Sequence, residues 1–235
     1  MKWDTAFQQS VGIARYANLT CETLGHDSAE HCFNSNYFST YPYPIQYKFN
    51  EIGYRTNSVN EFAGNEILAI GDSFTLGLGV TEQHTWPAQL SALMHYPVLN
   101  FSLNGASNDW MARKTQQLLQ WFQPRAIVVH YTFSHRRERA HANWTDDERT
   151  ECEPFYSDQE NFDNWRSNFD YFSSLNLPVI HSFITNWHNQ SVDYTQLPGK
   201  IIKPTVKVDL ARDGFHYGVK TNRELAQQIT NLLAL

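Results

Sequence analysis

Cysteine and positive charge are both scarce in this sequence. It has three cysteines among 235 residues, and 18 basic against 24 acidic side chains give a formal charge of −6. The cysteines are too few, and odd in number, for a secreted disulfide framework; they are Cys21, Cys32 and Cys152. A disulfide between Cys21 and Cys32 is kept as an alternative. The few basic residues are scattered, which excludes a surface for phosphate backbones or anionic lipid. We therefore expect neither nucleic acid nor a membrane as partner.

Long apolar runs are missing as well. No stretch reaches the roughly 18 apolar residues of a spanning helix, and the first nine residues lack the apolar segment of a signal peptide. We expect a soluble protein that stays in the cytoplasm. His31 and Cys32 are adjacent and so are poorly placed to chelate one tetrahedral ion together with Cys21 and His26. No metal site is predicted.

The hydrophobic pattern changes near residue 60. Residues 1–60 are rich in Tyr, Asn, Ser and Pro, which predicts an irregular N-terminal wrap that belongs to the same domain as residues 61–235. The later residues alternate between short apolar runs and amphipathic stretches, which is the pattern of βαβ units and a mostly parallel sheet between helices. The predicted strands are 67–70, 98–101, 126–131 and 178–183, and the predicted helices are 87–95, 107–122, 159–175 and 220–233.

In such a sheet, ligands bind beyond the carboxyl ends of the strands, so the loops after the four strands should form one rim. The connection 132–158 is longer than the roughly 12 to 15 residues usual for a structureless loop, and a surface excursion and a lid fit it equally. Aromatic residues in or near the rim could stack on sugar rings or pack beneath the loops; they are Trp144, Phe155, Tyr156 and Trp187.

The first rim loop reads Gly71-Asp72-Ser73-Phe74. A serine at a strand-to-helix turn is placed to be a nucleophile, because the turn presents its side chain at the sheet edge beside an unpaired backbone N–H. A capping role for Ser73 is the alternative. A nucleophilic serine needs a base, and His216 is the only one of ten histidines with an aspartate, Asp213, three residues earlier. Gly105, in the second rim loop, can bring its N–H close to a substrate as an oxyanion donor.

These blocks together resemble the SGNH, or GDSL, hydrolase family. The likeness covers residues 47–131 and 205–233 and includes the lead-in segment 47–55. It implies a flavodoxin-like three-layer α/β/α sandwich without metal or organic cofactor. The resemblance also implies that Ser73 is the nucleophile, His216 the general base and Asp213 its orienting carboxylate, with the N–H groups of Ser73 and Gly105 in the oxyanion hole.

One block departs from the family pattern. The family has Gly-x-Asn-Asp after the third strand, and its asparagine amide donates to the oxyanion, but here residues 131–135 read Tyr-Thr-Phe-Ser-His. The best register places Ser134 at the asparagine, and Asn104 or Asn108 could substitute. The loss of one oxyanion donor costs roughly 2.7–4 kcal/mol of transition-state stabilisation.

The sequence therefore predicts a serine ester hydrolase, a carboxylic ester hydrolase that acts through an acyl-enzyme on a small or carbohydrate-linked ester, as an O-deacetylase does. Two alternatives stay open. One is an acyltransferase that uses the same three residues, with a sugar hydroxyl in place of water. The other is a non-catalytic carbohydrate-binding protein that keeps the fold after losing the third-block asparagine.

Overall fold

The computed structural model describes residues 3–28, 30–31, 41–138, 156–188 and 192–233. Five parallel strands form the central sheet in the order β4-β3-β5-β6-β7, and a separate antiparallel pair joins β1 to β2. The strands are β1 (Thr20–Cys21), β2 (Tyr47–Lys48), β3 (Ile67–Gly71), β4 (Val98–Ser102), β5 (Ala126–Tyr131), β6 (Val179–Phe183) and β7 (Lys200–Ile201).

Six α-helices occur in the described residues. They are α1 (Thr5–Val11), α2 (Ser73–Leu76), α3 (Trp86–Met94), α4 (Asn108–Leu118), α5 (Asp158–Ser173) and α6 (Val219–Leu233). Helix α3 packs against α6, whereas α4 packs against α1 and α5, so helices cover both faces of the sheet. The predicted α/β sandwich with a mostly parallel sheet is confirmed. None of the described helices is long and apolar enough to span a bilayer.

The order of the strands in the sheet determines which rim loops are neighbours. Counted within the sheet, the strands run 2-1-3-4-5, the flavodoxin-like order, whose switch point lies between the first and third strands, here β3 and β5. The register pairs Gly71 at the end of β3 with Ser102 of β4 and His130 of β5. The loops after these three strands therefore begin side by side.

The interior strands are buried along their whole length and are mostly apolar, because helices cover both faces. Every residue of β3 and β5 is buried. The segment before residue 60, which the sequence predicts as irregular, contains α1 and the β1–β2 pair. It adds Trp3 and Phe7 to the main core, where the Trp3 ring stacks 4.7 Å from that of Phe122.

Two local predictions differ from the structure. Helix α4 ends at Leu118 rather than at residue 122. The N–H groups of Gln120 and Trp121 donate to the carbonyls three residues earlier, as in a 3₁₀ turn, and not to those four residues earlier. Strand β7 has only two residues and pairs at the edge of the sheet beside β6. So short a strand has no period from which it could be predicted.

Candidate active site

The first rim loop is held tightly. Asp72 caps α2 by accepting a hydrogen bond of 3.0 Å from the N–H of Phe74, and Ser73, the first residue of the helix, is 3% exposed. The buried guanidinium of Arg55 donates to the carbonyls of Leu76, Gly77 and Val80, at 2.7–3.1 Å. These bonds fix the turn that presents the Ser73 hydroxyl.

The structure brings the three predicted catalytic side chains together. His216 Nε2 lies 2.8 Å from Ser73 Oγ, and His216 Nδ1 is hydrogen-bonded to Asp213 Oδ2. The other carboxylate oxygen of Asp213 accepts the backbone N–H groups of Phe215 and His216, at 2.9 and 3.0 Å. The four-residue turn thus orients its own carboxylate toward its own imidazole.

The protonation of Asp213 suits this arrangement. Burial by itself raises the pKa of Asp213, but the hydrogen bond and charge of His216, together with the two backbone N–H groups, outweigh it and hold that pKa below its ordinary value. The carboxylate is therefore ionised at neutral pH. It accepts the proton on Nδ1, which leaves Nε2 as an acceptor for the hydroxyl proton of Ser73.

The first rim loop and the loop that carries His216 touch directly at Gly79. Its carbonyl accepts the N–H of Arg212 at 2.9 Å. Gly79 has φ of +73°, and a Cβ there would lie 2.7 Å from the Cβ of Ala211. Only glycine allows this approach without strain.

A polar network from the N-terminal segment joins the same two loops, and we call Asp27, Tyr47 and Arg55 the N-terminal brace. The buried Asp27 accepts two bonds from the Arg212 guanidinium, at 2.9 and 2.6 Å, and one of 2.5 Å from the Tyr47 hydroxyl. That hydroxyl accepts the Gly79 N–H at 2.7 Å, and the Arg55 guanidinium lies 4.7 Å from the Tyr47 ring centroid. Through Tyr47 and Arg55, the brace ties segment 47–55 to the loop that carries Ser73.

A cavity of about 440 Å³ opens at Ser73. Ser73, Gly105, Asn104, Arg136, Phe215 and His216 line it, and the exposed rings of His26 and His31 complete its outer edge. Gly105 has φ of +74°, which favours glycine. Within the described residues, the backbone N–H groups of Ser73 and Gly105 have no hydrogen-bond acceptor. Both are therefore available to a bound substrate.

The three polar side chains considered for the third donor lie in different places. Asn104 lines the cavity. Ser134 is outside the lining; it is 7% exposed and its N–H donates to the carbonyl of Trp187 at 2.8 Å. The Asn108 amide is fully buried and bonds both the N–H and the carbonyl of Thr132, at 3.1 and 3.3 Å, so it joins the second and third rim loops.

Arg136 is a cavity residue that sequence reasoning did not assign to the site. It follows Ser134 by two residues on the third rim loop, and its Nη1 donates to Asp72 Oδ2 at 2.9 Å. The sequence does indicate that Arg136 lies on a rim loop, because it follows the third predicted strand of the sheet. The partner that brings it to the serine lies 64 residues away, which no local pattern indicates.

The other candidate residues have structural surroundings or lie outside the described residues. Cys21 is a free thiol, and no group of three or more metal-ligating side chains occurs in the described part of the chain. Trp187 is buried in the core, with its ring 4.4 Å from that of Trp165, and Tyr156 packs under the Arg137 guanidinium. Cys32, Cys152, Trp144, Phe155 and residues 139–155 of the long connection are outside the described residues.

No family model and no curated protein matches the chain. Solved structures similar to it include a G-D-S-L family protein from Desulfitobacterium hafniense, described as lipolytic, at 11% identity over 72% of this chain and 99% of that one, with a TM-score of 0.47. A carbohydrate esterase matches at 14% identity over 73% and 65% of the two chains, with a TM-score of 0.47. A two-domain esterase active on acetylated mannans matches at 12% over 73% and 50%, with a TM-score of 0.46.

Proposed function

We propose that this protein is a serine ester hydrolase in which Ser73 is the nucleophile. The observation that carries the proposal is the continuous hydrogen-bonded series from Ser73 Oγ through the His216 imidazole to the Asp213 carboxylate, at the floor of an open cavity. A serine placed only to cap a helix has no need of an oriented imidazole on its hydroxyl.

The reaction follows from these contacts. Ser73 Oγ attacks the ester carbonyl carbon while His216 Nε2 takes the hydroxyl proton, and Asp213 stabilises the imidazolium that forms. The carbonyl oxygen becomes an oxyanion beside the free N–H groups of Ser73 and Gly105. The carbon–oxygen bond to the alcohol then breaks, and His216 returns the proton to that alcohol. Water, with its proton taken by His216, cleaves the acyl-enzyme and regenerates Ser73.

The cavity favours a small acyl group carried by an alcohol that extends into solvent. Its volume of about 440 Å³ is in the lower part of the usual range for ligand pockets. Phe215 is 46% exposed at the cavity wall, with its ring 5.1 Å from that of His216, and offers a flat apolar surface to an acyl chain or a sugar face. We propose short-chain esters, including acetyl groups on carbohydrate, as the substrate class.

The first test is labelling with a fluorophosphonate, followed by intact-mass measurement and peptide mapping. We expect one adduct, on Ser73, that is lost in Ser73→Ala and His216→Ala. Ser167→Ala, on the exposed face of α5, is the matched control and should label like the unmodified protein. An adduct on another residue, or none on folded protein, would refute the proposal.

Turnover of acetyl to octanoyl esters is measured alongside the labelling. Asp213→Asn should lower kcat by about 10,000-fold, because the imidazole loses the carboxylate that fixes its tautomer. Product analysis with an added sugar acceptor separates hydrolysis from transfer. Acyl sugar formed in preference to free acid would favour the acyltransferase.

A further inference from the structure

Arg136 stands beside the nucleophile without a role in proton transfer. Its side chain is 12% exposed and lines the cavity together with Ser73 and Gly105. Asp72, to which it is bonded, directly precedes Ser73 in the chain, and Arg136 and Ser73 line the same cavity. The position is that of a third donor beside the two backbone N–H groups.

The guanidinium is held in one orientation. Nη1 donates to Asp72 Oδ2 at 2.9 Å and to Thr132 Oγ1 at 3.0 Å, and the guanidinium carbon lies 5.1 Å from the centroid of the Phe133 ring. The Thr132 hydroxyl itself donates to Asp72 Oδ2 at 2.5 Å. An arginine fixed this way loses little side-chain entropy when it donates to a ligand.

Part of this donor capacity is unused. Nε of Arg136 is buried and has no acceptor among the described residues. A buried donor without a partner costs free energy in the resting protein. Nη2 is not buried and has no acceptor among the described residues, so it can donate to an oxygen that carries negative charge.

The charged side chains around the cavity favour a negative charge that develops on the substrate during the reaction. They do not favour a substrate that is already negatively charged. Two carboxylates, those of Asp72 and Asp213, offset two cations, Arg136 and the half-buried Lys207, whose ammonium lies 4.3 Å from the Phe215 ring centroid. Burial, and repulsion from His216, lower the pKa of His26, so His26 adds no charge at neutral pH. A substrate carboxylate would find no excess positive charge in the described wall.

We propose that the Arg136 guanidinium donates to the oxyanion of the tetrahedral intermediate, as the side-chain member of the oxyanion hole. This inference rests on the proposed esterase function. The donated hydrogen bond forms as the carbonyl oxygen gains charge and weakens when the acyl-enzyme carbonyl returns. No proton changes owner, and the ion pair with Asp72 stays in place throughout.

Steady-state kinetics of Arg136→Met on phenyl acetate tests the inference. We expect kcat to fall by about 100- to 1,000-fold with KM within about twofold, because the bond exists only in the transition state. The affinity for a boronic acid, which forms a tetrahedral adduct with the serine, should fall by a similar factor. Guanidinium ion added to Arg136→Met should restore part of kcat.

Arg137→Met is the matched control. Arg137 is the next residue and reaches Asp109 rather than the cavity, so its kcat should match that of the unmodified protein. Arg136→Lys keeps the positive charge but not the planar guanidinium with its several N–H donors, and should retain more activity than Arg136→Met. It also serves as the second variant if Arg136→Met does not fold.

The outcomes separate the two proposals. If the unmodified protein neither labels on Ser73 nor turns over any ester, both are overturned. If it is active and the folded Arg136 variants keep kcat within about fivefold, only the role of Arg136 is overturned. A higher KM at unchanged kcat would make Arg136 a ground-state binding residue and would equally overturn it.

Discussion

The two sides of the cavity are built from different kinds of contact. On one side, Ser73 and His216 lie on loops joined by the backbone bond at Gly79 and clamped by the N-terminal brace. On the other side, Gly105 and Arg136 lie on loops joined by side chains alone, among them the Asn108 amide, while the ion pair with Asp72 ties Arg136 to the first side. The first side has backbone bonds at its centre, and the second has none between its two loops in the described residues.

The two kinds of contact suit different tasks: one fixes the positions of side chains, and the other allows a side chain to be replaced. Backbone bonds and buried ion pairs around Ser73 and His216 keep a proton-transfer distance that tolerates little error. A donor carried by a side chain can be exchanged for another without rebuilding a loop. The side of the cavity for which we propose oxyanion binding can therefore vary while the side that holds Ser73 and His216 stays constant.

Among substitutions that test this difference between the two sides, the largest loss of stability should come from disrupting the N-terminal brace. In Asp27→Asn, the buried Arg212 guanidinium loses its carboxylate, and we expect the free energy of unfolding to fall by about 3–5 kcal/mol. Urea unfolding measures it. Asp163→Asn, at an exposed position of α5, is the control and should change stability little. An unchanged unfolding midpoint in Asp27→Asn would show that the brace does not hold the first side.

A second test uses His130, which is fully buried near the end of β5, in register with Gly71 of β3. Its Nε2 lies 3.2 Å from the hydroxyl of Tyr217, the residue after His216, and its Nδ1 lies 2.9 Å from Ser182 Oγ. Burial lowers the pKa of His130 to about 4, only partly opposed by the charge of Asp72.

Because the folded pKa of His130 lies below the unfolded value of about 6.5, the unfolded chain binds more protons between these values, and stability falls as the pH drops through this window. At about pH 4 this one histidine should cost about 3 kcal/mol relative to pH 7. Urea unfolding of His130→Gln at both pH values should give a correspondingly smaller loss. An equal loss in the variant would contradict the assignment.

The smallest effect should come from the second side. Asn108→Ala leaves the buried N–H of Thr132 without its acceptor, and we expect a loss of about 1–3 kcal/mol in stability. Activity should fall as well, because Thr132 also holds Arg136. Asn60→Ala, at an exposed position, is the control. If Asn108→Ala lost activity but no stability, the amide would act on the substrate rather than between the loops.

Much of the fold could be predicted, because apolar runs and their spacing are local signals. The strand 126–131 agrees with β5 residue for residue, and the Asp213 to His216 turn forms within four residues. Arg136 and the brace could not be predicted, since each depends on partners that meet only when the sheet assembles. Asp72 and Arg136 are 64 residues apart, and neither lies in a repeating pattern that points to the other.

The ion pair between Asp27 and Arg212 also sets an order of events during synthesis. The two residues are 185 positions apart, which a ribosome covers in roughly 10 to 40 s. Throughout that interval the carboxylate lacks the Arg212 guanidinium, its hydrogen-bonded ion-pair partner in the folded protein. The serine turn is therefore synthesised early, but the contact with Arg212 that holds it against the His216 loop forms only near the end of synthesis.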